Sequence, residues 1–199
     1  MARLLCVRHG ETDWNRKGRI QGWAPTTLTA TGRQQARDVG AHLASTDDVD
    51  RMVASDLQRC KETATRICES GVDVEPTFRR AWRERDFGIY QGLARETVLQ
   101  RRPRARKTDS VTALEHLDNG ENLDDFRTRV LDAFRRLRGD LAADETVLVV
   151  THGGPLRVVL GEIKGLSVTE TFQQESPANC AITELDVASG RLRRENETV

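Results

Sequence analysis

The chain has 199 residues, and its 31 Lys and Arg residues are balanced by 31 Asp and Glu residues, so the formal net charge is zero. A chain of this length predicts one domain, which can bury a core without disulfides. The balanced charge argues against a nucleic-acid-binding protein, which would carry a basic excess.

The apolar segments are too short for a membrane or secretory segment. Only four apolar residues, Leu4 to Val7, follow the N-terminal residues, whereas a secretory signal needs about 7–15. No apolar run approaches the ~18 residues that span a membrane. The cysteines form no CxxC pair and are interpreted as reduced thiols, so we expect a cytoplasmic protein without a membrane partner.

The first seventy residues alternate strand and helix. Their apolar spacings predict a strand at Arg3–Val7, a helix from a cap at Thr29 or Thr31 to about Leu43, a strand at Arg51–Ala54 and a helix from a cap at Ser55 or Asp56 to about Glu69. Residues 8–28 predict a long loop, and such loops in compact domains are usually functional.

The alternation resumes after an irregular region. Residues 76–92 have a mixed pattern, 93–102 favour a helix, and 103–120 look irregular, so 93–120 are predicted to form a lid-like excursion. The later predictions are a helix at Glu121–Leu141, a strand at Thr146–Val150, a helix at about Pro155–Lys164 and closing strands at Ala181–Val187 and Leu192–Glu195. This order predicts a single α/β domain over 1–199 with a mostly parallel sheet.

Two histidine motifs follow predicted strands. Arg8-His9-Gly10-Glu11 comes after the first strand, and His152-Gly153-Gly154 comes after the strand at Thr146–Val150. In layered α/β folds the chemistry lies at the carboxyl ends of strands, so both motifs are candidates for one site. No nucleotide-binding, zinc-protease or serine-hydrolase signature is present.

Four segments together resemble the histidine phosphatase superfamily, also called the phosphoglycerate mutase-like family. They occur in the family's order and cover nearly the whole chain. They are RHGE at 8–11 with Asn15, SxLxR ending at Arg59, the ER…G…G segment with Glu84, and HGG at 152–154.

The resemblance implies a three-layer α/β/α fold and phosphoryl transfer through a phosphohistidine. It implies that His9 is the nucleophile and Glu84 the general acid. Arg8, Arg59 and His152 would clamp the phosphate, while Asn15, Gln21, Gly22 and Gly153 would complete the binding shell. The implied partner is a small phosphate ester, and no cofactor or metal is implied. Members are often dimers, so a homodimer is one expectation.

The residue chemistry agrees with these roles. Imidazole attacks phosphorus only when neutral, and nearby guanidinium groups disfavour its protonated form. Arginine matches the planar oxygens of a phosphoryl group and stabilises their charge without a metal. A carboxyl group can protonate the departing alkoxide.

The segment after Glu84 favours the phosphatase branch of the family. It reads Arg85-Asp86-Phe87-Gly88, similar to the phosphatase form, and lacks the lysine of the mutase stretch. The loop after Gly22 also lacks the mutase's aspartate. A cofactor-dependent phosphoglycerate mutase and a catalytically silent phosphate-binding module remain alternatives.

The basic stretch 101–107 leaves the substrate open. If it folds over the pocket, it favours a substrate with a second anionic group. The other interpretation is a solvated basic loop whose charge is offset by nearby acidic residues.

Overall fold

A central sheet organises the described part of the chain. The computed structural model describes residues 1–101, 112, 114–174 and 176–199. Over these residues the strands are β1 (Arg3–Arg8), β2 (Arg51–Ala54), β3 (Pro76–Phe78), β4 (Thr146–Thr151), β5 (Ile182–Asp186) and β6 (Arg191–Glu197), in the order β3-β2-β4-β1-β5-β6. The first four strands in that order are parallel, and β5 is antiparallel to both neighbours. The predicted mostly parallel sheet is confirmed.

Helices cover both faces of the sheet. They are α1 (Asp13–Arg16), α2 (Ala30–Thr46), α3 (Gln58–Glu69), α4 (Arg95–Arg101), α5 (Leu123–Gly139), α6 (Gly153–Lys164) and α7 (Val168–Gln173). Successive residues of β1 point to opposite faces: Leu4 packs in a core with α5 and α6, and Leu5 in a core with α2 and α3. The three-layer α/β/α arrangement is therefore confirmed.

Helix starts agree with the sequence in one case and differ in another. The Thr29 hydroxyl caps α2 by accepting the Gly32 N–H at 3.0 Å. The predicted cap of α3 is wrong, because its N-cap is Leu57, which makes no side-chain cap bond. The Asp56 carboxylate instead binds Arg83 through two hydrogen bonds of 2.6 and 2.7 Å.

Two short helices escaped the pattern analysis. The predicted loop 8–28 contains α1, whose capping box joins Thr12 and Asn15. After α6 the chain forms α7, which begins with a capping box at Ser167 and Glu170. Both helices are too short to show an apolar period, and their capping boxes are the only sequence signal that indicates them.

The described residues of the excursion at 93–120 pack against the loop that contains Ile20 and against Phe87. The excursion starts with α4, which confirms the predicted helix, and Val98, Leu114 and Leu117 pack against Ile20 and Phe87. Residues 102–111 and 113 lie outside the described residues. The basic stretch 101–107 therefore falls outside them too, apart from the backbone of Arg101.

Within the described ranges, we find no helix that is both long and apolar enough to cross a membrane.

Candidate active site

The two motif histidines meet at one edge of the sheet. β1 and β4 are parallel neighbours, with Arg8 opposite Thr151, and each strand is followed directly by a histidine. The rings of His9 and His152 lie 5.2 Å apart between centroids and are inclined by 61°. The position at the carboxyl ends of adjacent strands is the one predicted from the sequence.

Arg59 joins the two rings. It is the second residue of α3 and is 1% exposed. Its Nε lies 3.2 Å from His9 Nε2 and 3.2 Å from His152 Nδ1, so one N–H is shared between two ring nitrogens. Its Nη2 donates to the Gly22 carbonyl at 2.8 Å. The guanidinium is thus held by neutral acceptors only.

These contacts fix the proton on each ring. A carbonyl only accepts, so His9 Nδ1, which is 2.8 Å from the Gly10 carbonyl, carries the proton. Arginine only donates, so His9 Nε2 presents its lone pair to Arg59. By the same logic His152 Nδ1 is unprotonated, and its Nε2–H donates to Ser55 Oγ at 2.8 Å. Both imidazoles are neutral in this arrangement.

Burial and positive charge keep the two rings neutral. The pKa of His9 is lowered well below 6.5, first by burial and then by the charges of Arg59 and Arg8. The pKa of His152 is lowered in the same way, with burial again the main cause. Burial also lowers the pKa of Arg59 to about 10, which leaves that guanidinium charged at neutral pH.

A cavity of about 260 Å³ opens beside this group. Six of the predicted site residues line it: Arg8, Asn15, Gln21, Gly22, Glu84 and Gly153. His9, Arg59 and His152 are not part of its wall and are buried next to it, each 3% exposed or less. Arg59 reaches the wall through its bond to Gly22. The structure therefore brings all nine predicted residues together, six on the surface of the cavity and three behind it.

Glu84 is held at the start of α6. Its Oε2 accepts the Gly154 N–H at 3.0 Å, and its Oε1 accepts the Arg85 N–H at 2.9 Å. A Cβ built on Gly154 would overlap Glu84 Oε1, so the close approach requires glycine at this position. The carboxylate is fixed next to the HGG motif.

Arg129 and Trp23 hold the backbone that carries Glu84. Arg129, on α5, donates to the carbonyls of Ala81, Arg83 and Glu84 and binds the Glu121 carboxylate with two bonds of 2.7 Å. Trp23 Nε1 donates to the Glu84 carbonyl at 2.7 Å. The acid is thus positioned by an element far from it in sequence.

Arg8 has a donor available for a ligand. Its Nη1 donates to the Pro177 carbonyl at 2.6 Å. Its Nε is buried and has no hydrogen-bond partner among the described residues. A buried donor without an acceptor is costly in a protein alone, and a phosphate oxygen would satisfy it.

Asn15 and Gln21 also serve the local structure. Asn15 Oδ1 accepts from the Thr12 N–H and hydroxyl at 3.1 and 2.9 Å, which completes the cap of α1. Gln21 Oε1 accepts from the Thr26 hydroxyl at 2.7 Å. Both side chains line the cavity, so a structural role and a place on its wall coexist.

Sequence reasoning missed several residues that shape the site. Ser55 orients His152, Asn179 Nδ2 donates to the His9 carbonyl at 2.7 Å, and Arg129 holds the Glu84 loop. Ser55 belongs to the SxLxR segment, which could have marked it. Neither Asn179 nor Arg129 stands in a motif, and only the fold brings them near.

The model of the histidine phosphatase superfamily (branch 1) matches residues 4–197. The 2,3-bisphosphoglycerate-dependent phosphoglycerate mutase of Bartonella bacilliformis is 33% identical over 181 residues, which cover 86% of each chain. The metal-independent phosphoserine phosphatase of Arabidopsis thaliana is 34% identical over 158 residues, covering 78% of this chain and 66% of that one.

Solved structures agree with these sequence relatives. A mycobacterial glucosyl-3-phosphoglycerate phosphatase, solved as a complex with VO3, superposes with a TM-score of 0.77 at 28% identity and covers 92% of both chains. The family match, the similar proteins and the paired histidines at the sheet edge all indicate the same superfamily. This chain belongs to the histidine phosphatase superfamily, branch 1.

Proposed function

We propose that the protein is a phosphomonoester hydrolase that works through a phosphohistidine on His9 and needs no metal. The proposal depends most on one observation. His9 Nδ1 is tied to the Gly10 carbonyl, so the unprotonated Nε2 of a buried, neutral imidazole points at a guanidinium that can bind phosphate. That is the arrangement a nitrogen nucleophile for phosphorus requires.

The first step forms the phosphoenzyme. The phosphate oxygens displace the rings as acceptors of Arg59 and take the buried Nε–H of Arg8, which frees the His9 Nε2 lone pair. Nε2 attacks phosphorus, the P–O ester bond breaks, and the Glu84 carboxyl gives its proton to the leaving oxygen. The Gly10 carbonyl stabilises the resulting cationic ring through its Nδ1–H.

The second step returns the enzyme. Water attacks phosphorus, its proton passes to the Glu84 carboxylate, and the P–N bond breaks to release phosphate and neutral His9. Arginine charges neutralise the equatorial oxygens in both steps, which is the task that a metal performs in other phosphoryl transferases.

The Ser55 hydroxyl allows His152 to carry its proton on either Nε2 or Nδ1. In the structure the Ser55 oxygen accepts from His152 Nε2. A hydroxyl can also donate, so rotation of the Ser55 O–H would let His152 carry its proton on Nδ1 and donate to a phosphate oxygen. His152 can then join the clamp without becoming charged.

Trapping the phosphoenzyme tests the proposal. Wild-type protein mixed with a ³²P-labelled phosphomonoester and quenched in alkali should carry acid-labile label, and it should release phosphate from p-nitrophenyl phosphate with chelator present. His9→Ala should do neither, while the exposed His116→Ala on the described surface should do both. Label or turnover retained in His9→Ala would refute the nucleophile.

A mutase is the second candidate, favoured by the similarity to the Bartonella enzyme. Labelled enzyme that returns its phosphoryl group to glycerate phosphates faster than to water would establish it. Phosphate binding with no label in wild type would instead establish a silent phosphate-binding module.

A further inference from the structure

The backbone of His9 is held by hydrogen bonds on both sides. Its N–H donates to the Thr151 carbonyl at 2.9 Å, at the end of β4, and its carbonyl accepts from Asn179 Nδ2 at 2.7 Å. The N–H of the same peptide unit, that of Gly10, donates to the Thr63 hydroxyl at 3.1 Å. Two side chains from distant parts of the sequence therefore fix the peptide unit between His9 and Gly10, one at its oxygen and one at its nitrogen.

The orientation of the Asn179 amide follows from its neighbours. Besides the His9 carbonyl, Asn179 Nδ2 lies 3.5 Å from Asn15 Oδ1. That Asn15 atom accepts the Thr12 N–H at 3.1 Å, so it is an oxygen. Both groups that face the Asn179 amide are acceptors, and its nitrogen is therefore the atom that faces them.

The segment that carries Asn179 is attached to the first motif at two further points. The Pro177 carbonyl accepts from Arg8 Nη1 at 2.6 Å, and the Cys180 N–H donates to the Arg8 carbonyl at 2.9 Å. Cys180 has a φ of 56°, a left-handed conformation that costs free energy in a residue other than glycine. Such a conformation persists where the surrounding contacts fix it, and residues 177–180 make three contacts of that kind with the motif.

The Gly10 carbonyl, which accepts the His9 Nδ1–H, is held from a different element. It belongs to the next peptide unit, whose N–H, on Glu11, donates to Gln35 Oε1 of α2 at 2.9 Å. The imidazole takes its position from the His9 backbone instead. The hydrogen bond that keeps the proton on Nδ1 therefore depends on the alignment of two peptide units that are held separately.

Resting on the proposed function, we propose that Asn179 is a positioning residue for the nucleophile and acts through the His9 carbonyl. In the structure Arg59 also holds the ring, because its Nε–H is shared with His9 Nε2. Phosphate takes that N–H in the proposed first step, and the ring then depends on the Gly10 carbonyl. Asn179 keeps the ring in line with this carbonyl while Nε2 attacks, and Thr63 supports the same peptide unit from its other side.

The proton position on His9 tests the proposal directly. A protonated and an unprotonated ring nitrogen differ widely in ¹⁵N chemical shift, and the spectrum of His9→Gln assigns the His9 signals. We expect the proton on Nδ1 in wild type and a mixture of both tautomers in Asn179→Ala. The kcat of this variant should fall about 10- to 100-fold, because a displacement near 1 Å in a reacting group has a cost of that size. Its affinity for butylphosphonate should stay close to that of wild type, since the arginines bind the phosphonate.

Asn196→Gly is the matched control for a loosened segment. Asn196 Oδ1 accepts the Ala178 N–H at 2.7 Å, so it supports the same segment without contacting the His9 carbonyl. Glycine suits its φ of 55°. This variant should keep the kcat and the His9 tautomer of wild type.

Thr63 provides a second comparison, with a conservative variant as the rescue. Its hydroxyl accepts from Gly10 and donates to the Arg59 carbonyl at 2.7 Å. Thr63→Val keeps the shape but loses both bonds, so it should lower kcat and mix the tautomers. Thr63→Ser keeps the hydroxyl and should restore both properties.

The His9 tautomer and the kcat of wild type in Asn179→Ala would overturn the proposal. An equal fall of kcat in Asn196→Gly would overturn it too, because a loosened segment would then explain the loss. If Asn179→Ala fails to fold, as thermal unfolding would show, the pair Thr63→Val and Thr63→Ser decides. A single tautomer in both of these variants would refute the control of the ring through the His9–Gly10 peptide.

The outcome is separable from that of the proposed hydrolase, because the spectra need no turnover. Mixed tautomers in Asn179→Ala, in a protein that hydrolyses nothing, refute the hydrolase and leave Asn179 as the residue that positions the His9 ring. Turnover that depends on His9, together with an unchanged tautomer and kcat in Asn179→Ala, refutes the positioning role and leaves the hydrolase.

Discussion

At the scale of single residues, the proposed role of Glu84 is to protonate the leaving oxygen of the substrate. The contribution of Glu84 to the rate should therefore be largest for esters with a poor leaving group. Replacing it by Gln removes the proton donor and leaves one oxygen, which can accept from only one of the two N–H groups, Gly154 or Arg85, that the carboxylate binds. We expect transfer from an alkyl phosphate to slow by about 10²–10⁴-fold and transfer from an aryl phosphate much less, since a phenolate leaves without help.

Single-turnover rates on the two esters would measure this difference, with Glu197→Gln at the exposed end of β6 as the matched control. An equal loss on both esters would mean that Glu84 is not the acid.

Residue chemistry was the most predictable part of the site. His9, Arg59 and His152 were chosen because they occur in motifs, and the structure puts their nitrogens within hydrogen-bond distance. Arg129 and Asn179 could not be found this way. The contacts by which they hold the site are with backbone carbonyls, which every residue has, so the sequence does not show which residue donates to them.

At the scale of elements, the first turn of α6 holds the Glu84 carboxylate in place through the Gly154 N–H. Gly154→Ala would place a methyl group against Glu84 Oε1 and push the carboxylate aside. We expect kcat to fall by as much as about 10²-fold, because a displacement near 1 Å in a reacting group has that cost. Gly139→Ala is the control, since a Cβ on Gly139 at the end of α5 has no neighbour within 4 Å.

Steady-state kinetics and thermal unfolding of both variants would test whether the position of Glu84 against α6 matters for turnover. The expected pattern is lost turnover in Gly154→Ala alone. Full activity in that variant would show that turnover does not require the position that Glu84 has next to Gly154.

Elements were predictable where they are long and apolar, and less so at their ends. Strands β1, β2, β4 and β5 and helix α5 follow from their apolar residues, which are buried in the two cores. The three-residue strand β3 lies in the region 76–92, whose mixed pattern predicts no strand. The cap of α3 was mispredicted because the Ser55 hydroxyl and the Asp56 carboxylate have partners elsewhere, in His152 and Arg83. Side chains recruited for a site or an ion pair are not available as caps, and spacing alone does not reveal this.

At the scale of the whole molecule, the two neutral histidines make the fold sensitive to acid. In the unfolded chain a histidine takes up a proton below about pH 6.5, whereas His9 and His152 stay neutral in the fold because their pKa values are lowered. The unfolded state therefore binds more protons, and the free energy of unfolding falls as the pH drops below 6.5. The slope reaches about 1.4 kcal/mol per pH unit for each histidine.

Urea unfolding at pH 7.5, 6.5 and 5.5 measures that slope. His9→Gln and His152→Gln should each make it shallower between pH 6.5 and 5.5, and the exposed His116→Gln should keep the wild-type slope. One common slope for all four proteins would mean that His9 and His152 are protonated in the fold.

The strand order of the sheet also determines when the two histidines can come together during synthesis and folding. β4 lies between β1 and β2, although the chain reaches it only after α5. During synthesis, β1 and β2 leave the ribosome long before the strand that must separate and pair them, and such distant pairing slows folding. The contact between His9 and His152 forms only when β4 is inserted between β1 and β2. The proposed phosphoryl transfer therefore requires a strand that is made late in synthesis, after α5.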